Sequence, residues 1–228
     1  MTELAHHTTD YEIVEGEAPE VLARNLSAAS QLLASATAFF FVAFLFAYFY
    51  LRSLDNAGLW KPKHVDASVT WGTIVTFLFV ASAIIVRFGA VDQKADRRPA
   101  WRLKGVIALA CGLVALVLQC VAWTQQSFGP ADGGYASVFF GWTAFLFLFV
   151  LGTMLWLEMT LATSFRYGKQ PMGEAAVAPG HASGDPGRMG HDIRNPVALN
   201  TAELLALSFY WTFLAGIAVV SWIILYLV

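Results

Sequence analysis

Five long stretches of the chain contain no Asp, Glu, Lys or Arg, and they limit what this sequence can fold into. They cover residues 25–51, 67–86, 105–131, 133–157 and 204–228. The hydrocarbon core of a bilayer is about 30 Å thick, and about 20 apolar residues in a helix cross it. The stretches lack the alternation of apolar and polar residues that is typical of barrel strands, so helices are favoured. The sequence therefore predicts an all-α, polytopic membrane bundle with five transmembrane helices.

The boundaries of these elements follow from the charges and from helix signals. We predict an acidic tail at 1–24 and a membrane domain at 25–228, with spans at about 27–51, 67–90, 105–127, 136–165 and 203–228. The connection at 166–202 is rich in Gly and Pro, which predicts an irregular loop. Asn200 precedes Glu203 by three residues, a pattern that predicts the start of the fifth helix. Trp60, between the first two spans, is expected to anchor the chain at the membrane interface.

The positions of Lys and Arg predict how the bundle is oriented. Of the 14 basic residues, only Arg52, Lys61 and Lys63 lie in segments on the side opposite the N-terminus. Cytoplasmic loops retain positive charge during insertion. We therefore expect a cytoplasmic N-terminus, a C-terminus on the outside, and a cytoplasmic location for both the acidic tail and the loop at 166–202.

The composition argues against several functional classes. With 57% hydrophobic and 13% charged residues, little chain remains for a soluble domain. All five His residues lie outside the predicted spans, so the membrane interior offers no obvious ligands for haem or a transition metal. We find no catalytic constellation, no phosphate-binding glycine motif and no basic patch for nucleic acid. The sequence thus predicts no catalytic site, no metal site and no cofactor in this chain.

Glu158 is the one ionisable residue that lies well inside a predicted span. A carboxylate is costly in the membrane and usually persists for a reason. It could form a hydrogen bond to a neighbouring helix or reach water near the boundary. It could also serve a proton relay or contact a partner.

Two patterns predict close helix packing. Phe40, Phe44 and Tyr48 recur every four residues and form one face suited to helix neighbours or acyl chains. Gly105 and Gly112 are one heptad apart in the third span, where small residues allow another helix to approach closely.

The order and spacing of several residues resemble subunit III of the haem-copper oxidases, in its five-helix bacterial form. The resemblance covers most of 27–228 apart from about 168–198, which looks like an insertion. The fifth span carries Tyr210-Trp211-Thr212-Phe213, close to the family's Tyr-Trp-His-Phe signature. The other matching residues are Tyr48-Phe49-Tyr50-Leu51-Arg52 at the end of the first span, Gly112, Gln119 and Trp123 in the third, Gly129, Tyr135 and Phe139 around the next turn, and Gly152 in the fourth.

The chain departs from this family at the family's polar positions inside the membrane. Where the family has carboxylates in the first and third spans, our alignment gives Thr37 and Ala122. Neutral side chains also replace its paired histidines and the His and Asp of its last signature, at Phe145, Leu148, Thr212 and Ala215. The resemblance therefore points to a divergent member.

The resemblance implies a non-catalytic structural subunit of a respiratory haem-copper oxidase, a multi-pass protein of the bacterial cytoplasmic (inner) membrane. Such a subunit packs beside the haem-bearing catalytic subunit and other oxidase subunits, stabilises the catalytic one and binds phospholipid, while haem and copper belong to its partners. The residues expected at lipid or subunit contacts are Tyr48, Arg52, Gln119, Trp123, Glu158, Trp211 and Trp222. Two alternatives stay open: an accessory membrane protein of a nitric oxide reductase or of oxidase assembly, and a small transporter, which would need Glu158 in a polar path.

Overall fold

The structure, a computed structural model, describes residues 19–55, 58–167 and 196–228. Within these ranges the chain forms five α-helices and no strand. Their bounds are α1 Pro19–Ser53, α2 Val69–Lys94, α3 Arg98–Thr124, α4 Gly134–Tyr167 and α5 Pro196–Tyr226. All five are long and apolar enough to cross a membrane. The predicted all-α bundle of five spanning helices is thus confirmed.

Two helices begin earlier than the sequence patterns predicted. α1 starts at Pro19, so the acidic tail ends before residue 24, and residues 1–18 lie outside the described part. α5 starts at Pro196, which makes the predicted N-cap at Asn200 wrong. Proline suits the first turn of a helix because its missing N–H would have no partner there and its φ angle is already helical. The Asn200 side chain instead donates a hydrogen bond from Nδ2 to the carbonyl of Thr160 on α4, at 2.9 Å.

The helices alternate in direction, and α5 lies against three of the others. α5 packs on α1, α2 and α4; α3 packs on α2 and α4; α1 also packs on α4. Hydrogen bonds near both ends show the antiparallel order of α4 and α5: Asn200 reaches Thr160 at one end, and Tyr135 reaches Leu225 at the other. One end of the bundle therefore gathers the α2–α3 turn and the start of α5, and we call it the basic end. The other, which carries Tyr48, Trp60 and Tyr135, is the aromatic end.

The turn at the basic end is shorter than the predicted loop between spans two and three. Only residues 95–97 lie between α2 and α3, because both helices continue beyond the uncharged stretches. At about 1.5 Å per residue, the 26 residues of α2 extend about 39 Å, which exceeds the roughly 30 Å hydrocarbon core. The charged residues of this region are therefore mostly helical.

Glycine allows close contact between α3 and α4, as the sequence predicted. A Cβ atom on Gly112 would collide with Sδ of Met154, and one on Gly105 would lie 2.9 Å from Cδ1 of Leu161. Neither position can hold a larger side chain without movement of its neighbour. The predicted role of both glycines in helix approach is confirmed.

The aromatic end is a packed core rather than a loose rim. Trp60, expected at the membrane interface, is only 8% exposed. Its carbonyl accepts a hydrogen bond from the backbone N–H of Tyr135 at 2.8 Å. Its ring lies edge-on to Tyr48, with centroids 5.1 Å apart. Trp60, predicted to anchor the chain at the membrane interface, therefore packs inside this core, and backbone bonds from Gly134 and Tyr135 hold residues 59 and 60 against the start of α4.

Candidate functional site

Tyr48 and Arg52, the predicted contacts at the end of α1, take different roles. Tyr48 is 2% exposed and belongs to the aromatic core. Arg52 is exposed, and its Nη1 donates a hydrogen bond to the carbonyl oxygen of Val228 at 2.9 Å. Arg52 therefore ties the end of α1 to the end of the chain after α5, whereas Tyr48 packs within the aromatic core.

Gln119, Trp123 and Trp222 lie around or beside a small cavity. The cavity lies between α2, α3, α4 and α5, is partly open to the surface and has a volume of about 50 Å³. Gln119 lines it, and the buried Nε2 of Gln119 has no hydrogen-bond partner there. Trp222 also lines it and donates to Thr73 Oγ1, and Trp123 donates to Thr143 Oγ1, each at 3.0 Å. The cavity has room for a few water molecules, but its lining is mostly apolar, and the Gln119 amide is one of its few polar groups.

Trp211 lies at the centre of the bundle. Its side chain is fully buried, and its ring centroid is 5.6 Å from that of Phe79 on α2. Its Nε1 has no partner among the described residues. Trp211, predicted at a lipid or subunit contact, therefore lies inside the bundle.

Glu158 is separated from the other predicted residues. It lies on α4 inside the spanning segment Gly134–Arg166, and its side chain is exposed. The described residues give it no hydrogen bond and no ion pair. The predicted bond to another helix of this bundle is therefore absent from the described part, because α4 turns this residue outward.

A surface groove lies between α2 and α5. It has a volume of about 320 Å³ and an almost wholly apolar lining. Arg87, exposed on α2, is the charged residue in that lining, and the described residues give its guanidinium no ion pair. Gly216 on α5 also lines the groove, and no atom lies within 4 Å of the place its Cβ would occupy. The groove combines a long apolar surface with one cation.

The basic end contains a buried carboxylate with two cations. Asp92 on α2 is 4% exposed and forms salt bridges with Arg97, at 2.8 Å, and with Lys104 on α3. On the neighbouring helix pair, Arg102 donates from Nη2 to the carbonyl of Ser164, at 2.5 Å. These bonds fix α3 against α2 and α4 where the chain leaves the membrane.

Deeper in the bundle, neutral hydrogen bonds join the helices. The hydroxyls of Thr37 on α1 and Tyr210 on α5 are 2.9 Å apart and buried. Nε1 of Trp142 on α4 donates to Ser221 Oγ on α5 at 2.7 Å. Each bond links α5 to a different helix, so the interior is held together by uncharged groups.

The described ranges contain no group of three or more His, Cys, Asp or Glu side chains placed to hold a metal ion. His64, the histidine within these ranges, is exposed in the loop before α2. The other four histidines, at 6, 7, 181 and 191, lie outside the described residues.

Comparison with known families gives the relationship. The family model of cytochrome c oxidase subunit III matches residues 9–172, which is more than two thirds of the chain and contains α1 to α4. The chain belongs to the cytochrome c oxidase subunit III family. It is therefore a multi-pass membrane protein and a subunit of a haem-copper oxidase. Among curated proteins, none matches this chain.

Thr37, which the resemblance aligns with a carboxylate position of the subunit III family, lies inside the bundle, where its side chain is 1% exposed. It pairs with the hydroxyl of Tyr210, which comes from the Tyr-Trp-Thr-Phe sequence of α5. A neutral bond thus joins α1 and α5 at this point.

Sequence reasoning assigned no individual role to Arg87 and Asp92 of this subunit III chain, and it predicted the wrong role for Asn200. Arg87 was expected in the second span and Asp92 in the connection after it, whereas both lie within α2. Arg87 follows 20 uncharged residues, 67–86, and that isolation was the available signal. Nothing in the sequence indicated that Asp92 would meet Lys104, because their contact depends on how tightly the α2–α3 turn closes.

Proposed function

We propose that this chain is the non-catalytic structural subunit of a respiratory oxidase in a bacterial cytoplasmic membrane, where it stabilises the haem-bearing subunit and holds phospholipid. The observation that carries the proposal is the neutral bonding of its interior. Buried hydroxyl and indole groups, such as Thr37 with Tyr210 and Trp142 with Ser221, are used to join helices. Such bonds fix a scaffold in place, and they do not require a change of charge.

Purification in a mild detergent tests the first part of the proposal. A tagged chain should bring down a haem-containing polypeptide, whereas the chain separated from it should show no haem absorbance. Cells that lack the chain should yield a haem-bearing subunit with a lower midpoint of thermal unfolding. Isolation of the chain alone with its own chromophore would contradict the proposal. The substrate that the purified complex reduces, oxygen or nitric oxide, decides between the two kinds of parent enzyme.

The groove between α2 and α5 supports the lipid part of the proposal. Its apolar lining suits an acyl chain, and Arg87 lies seven residues before the end of α2, about 10 Å along the helix axis. The long side chain of an arginine can follow an apolar surface and extend its charge toward the headgroups. A phospholipid phosphate would give that charge a partner.

Quantitative lipid analysis of the purified complex tests this site. Arg87→Gln should remove the phosphate contact, and Gly216→Leu should fill the groove, so each should lower the amount of retained phospholipid per complex. Arg52→Gln serves as the matched control, since Arg52 is an exposed arginine at the opposite end of the bundle and outside the groove lining. If all three variants retained as much phospholipid as the wild-type complex, this groove would be ruled out as the lipid site. Loss in Arg52→Gln alone would favour the end of α1.

The same proposal includes an orientation with the basic end in the cytoplasm. Arg24, at the start of α1, and the α2–α3 turn share that end, whereas Arg52 lies at the other. Cysteines introduced at Ala95 and Ser53, beside the two ends, provide the test. A membrane-impermeant thiol reagent applied to intact spheroplasts should label Ser53→Cys and leave Ala95→Cys unlabelled. The reverse pattern would contradict the orientation.

A further inference from the structure

The outward face of α4 carries a carboxylate for which residues 19–55, 58–167 and 196–228 supply no partner. Glu158 is exposed and lies eight residues before Arg166, about 12 Å along the helix from the charged end. Its neighbours on the helix surface are apolar: Leu155 is 55% exposed and Met159 is 70% exposed. The 34 residues of α4 extend about 51 Å, so a hydrocarbon core of roughly 30 Å centred on the helix ends about 10 Å before Tyr167 and places Glu158 just inside it. If lipid covered this face, the carboxylate would lie at the inner edge of the hydrocarbon, among exposed apolar side chains.

The other acids of the spanning helices are protected differently. Asp92 is buried and meets two cations at the basic end. Glu203 on α5 is half-buried against the bundle. Glu158 is the one of the three whose side chain is exposed. Ionisable side chains inside a membrane normally face protein or water and pair with another group. Glu158 therefore lacks a partner among the described helices, and a neighbouring transmembrane helix can supply one at this depth.

The shape of the same face suits a helix. Leu148, Gly152, Leu155 and Met159 follow a helical spacing of three and four residues, and all of them are exposed. No atom lies within 4 Å of the place where a Cβ on Gly152 would be, so the glycine leaves a notch in an otherwise bulky stripe. Small residues at such a point allow the backbone of another transmembrane helix to come close, and polar residues nearby strengthen the contact.

We infer that the outward face of α4 is the docking surface for a transmembrane helix of the neighbouring oxidase subunit, and that this helix presents a Lys or Arg to Glu158. The inference rests on the proposed function, because it requires an oxidase partner. The partner helix crosses α4 at the notch of Gly152, and its cation pairs with Glu158 about 9 Å further along the helix. The ion pair shields both charges from the lipid hydrocarbon and fixes the register of the two helices.

The test compares three variants in the complete complex, with haem recovered per tagged chain as the readout. Glu158→Gln removes the charge at nearly constant size, and Gly152→Leu fills the notch. Ala36→Leu is the control, since it adds the same side chain at an exposed small residue on α1, outside the groove between α2 and α5. Truncation of one partner of a buried charge pair weakens association strongly. We expect at least about a tenfold loss of recovered haem for Glu158→Gln and Gly152→Leu, and recovery close to wild type for Ala36→Leu.

Photo-crosslinking keeps the inference open to refutation if a variant fails to fold. A photoreactive amino acid at Leu155 should crosslink to the haem-bearing or another oxidase subunit, whereas one at Ile223, exposed on α5, should not. Crosslinks from Leu155 to a second copy of this chain, or to lipid alone, would overturn the inference. So would haem recovery that Glu158→Gln and Gly152→Leu leave unchanged, although the wild-type chain would still behave as an oxidase subunit. Failure of the wild-type chain to recover any haem polypeptide would overturn the proposed function as well.

Discussion

The contact between Gly112 and Met154 permits a quantitative prediction for Gly112→Ala. A new Cβ would overlap Sδ of Met154, so the sulfur must move by roughly 1 Å to reach an ordinary separation of about 3.5 Å. Overpacking of this kind costs about 1–3 kcal/mol. Replacement of Gly by Ala inside a helix contributes about 1 kcal/mol in the opposite direction. We therefore expect Gly112→Ala to lower the free energy of unfolding by about 1 kcal/mol.

Gly216→Ala isolates the clash from the helix preference. The Cβ of this variant meets no atom within 4 Å, so it should raise the free energy of unfolding by up to about 1 kcal/mol. Because the helix preference is common to both variants, the difference between them, about 1–3 kcal/mol, measures the overlap with Met154. SDS titration in mixed micelles, followed by tryptophan fluorescence, provides the free energies.

A double-mutant cycle with Met154→Ala gives the decisive result. Met154→Ala alone should cost about 2–5 kcal/mol, because it leaves a cavity beside Gly112. In the Gly112→Ala background the new methyl group occupies part of that cavity, so the second substitution should cost less, with a coupling of at least about 0.5 kcal/mol. Additive effects of the two substitutions would refute the packing argument. An equal response of Gly112→Ala and Gly216→Ala would refute it as well.

Four further substitutions test the bonds at the basic end, in the interior and at the aromatic end. Asp92→Asn should cost about 1–3 kcal/mol in the same titration, less than for a fully buried pair because Arg97 is 63% exposed and can regain water; a change below about 0.5 kcal/mol would show that the pair contributes little. Thr37→Val and Tyr210→Phe should each cost about 1 kcal/mol, and the double variant should cost less than the sum, since neither hydroxyl then lacks a partner; strict additivity would show that the hydroxyls do not interact. Arg52→Ala should speed amide exchange at residues 225–228 without affecting the basic end, and uniform exchange across α5 would contradict its local role.

The number and type of the helices could be predicted from the sequence because hydrocarbon imposes a strict condition. A span must be long, apolar and helical, and charges are excluded from it over about 20 residues. The ends of the helices were less predictable, since α1 and α5 continue into polar segments beyond the membrane. Pro19 and Pro196 marked both starts, but the change from polar to apolar residues at 25 and at Asn200 was given more weight.

The candidate site was harder to predict, because a residue's face depends on how the helices rotate about their axes. Tyr48 and Glu158 were both expected to make contacts, yet one is a core residue and the other faces outward. Aromatic and carboxylate side chains are compatible with either position when only spacing is known. The hydrogen bond between Thr37 and Tyr210 joins residues that lie 173 positions apart in the chain, so no local sequence pattern predicts it.

Arg87 and Glu158 lie at a similar depth in the membrane, and both are exposed. Their side chains differ in length, so different neighbours can stabilise their charges. Arginine has a long apolar stem, so its charge can reach the headgroup region while the stem lies in the groove beside Gly216. Glutamate is too short for this, and its charge must be met at the depth where it lies. A phospholipid can therefore satisfy Arg87 alone, whereas Glu158 requires a cation carried into the membrane on a protein helix. The groove between α2 and α5 is thus suited to a phospholipid, and the outward face of α4 to a transmembrane helix.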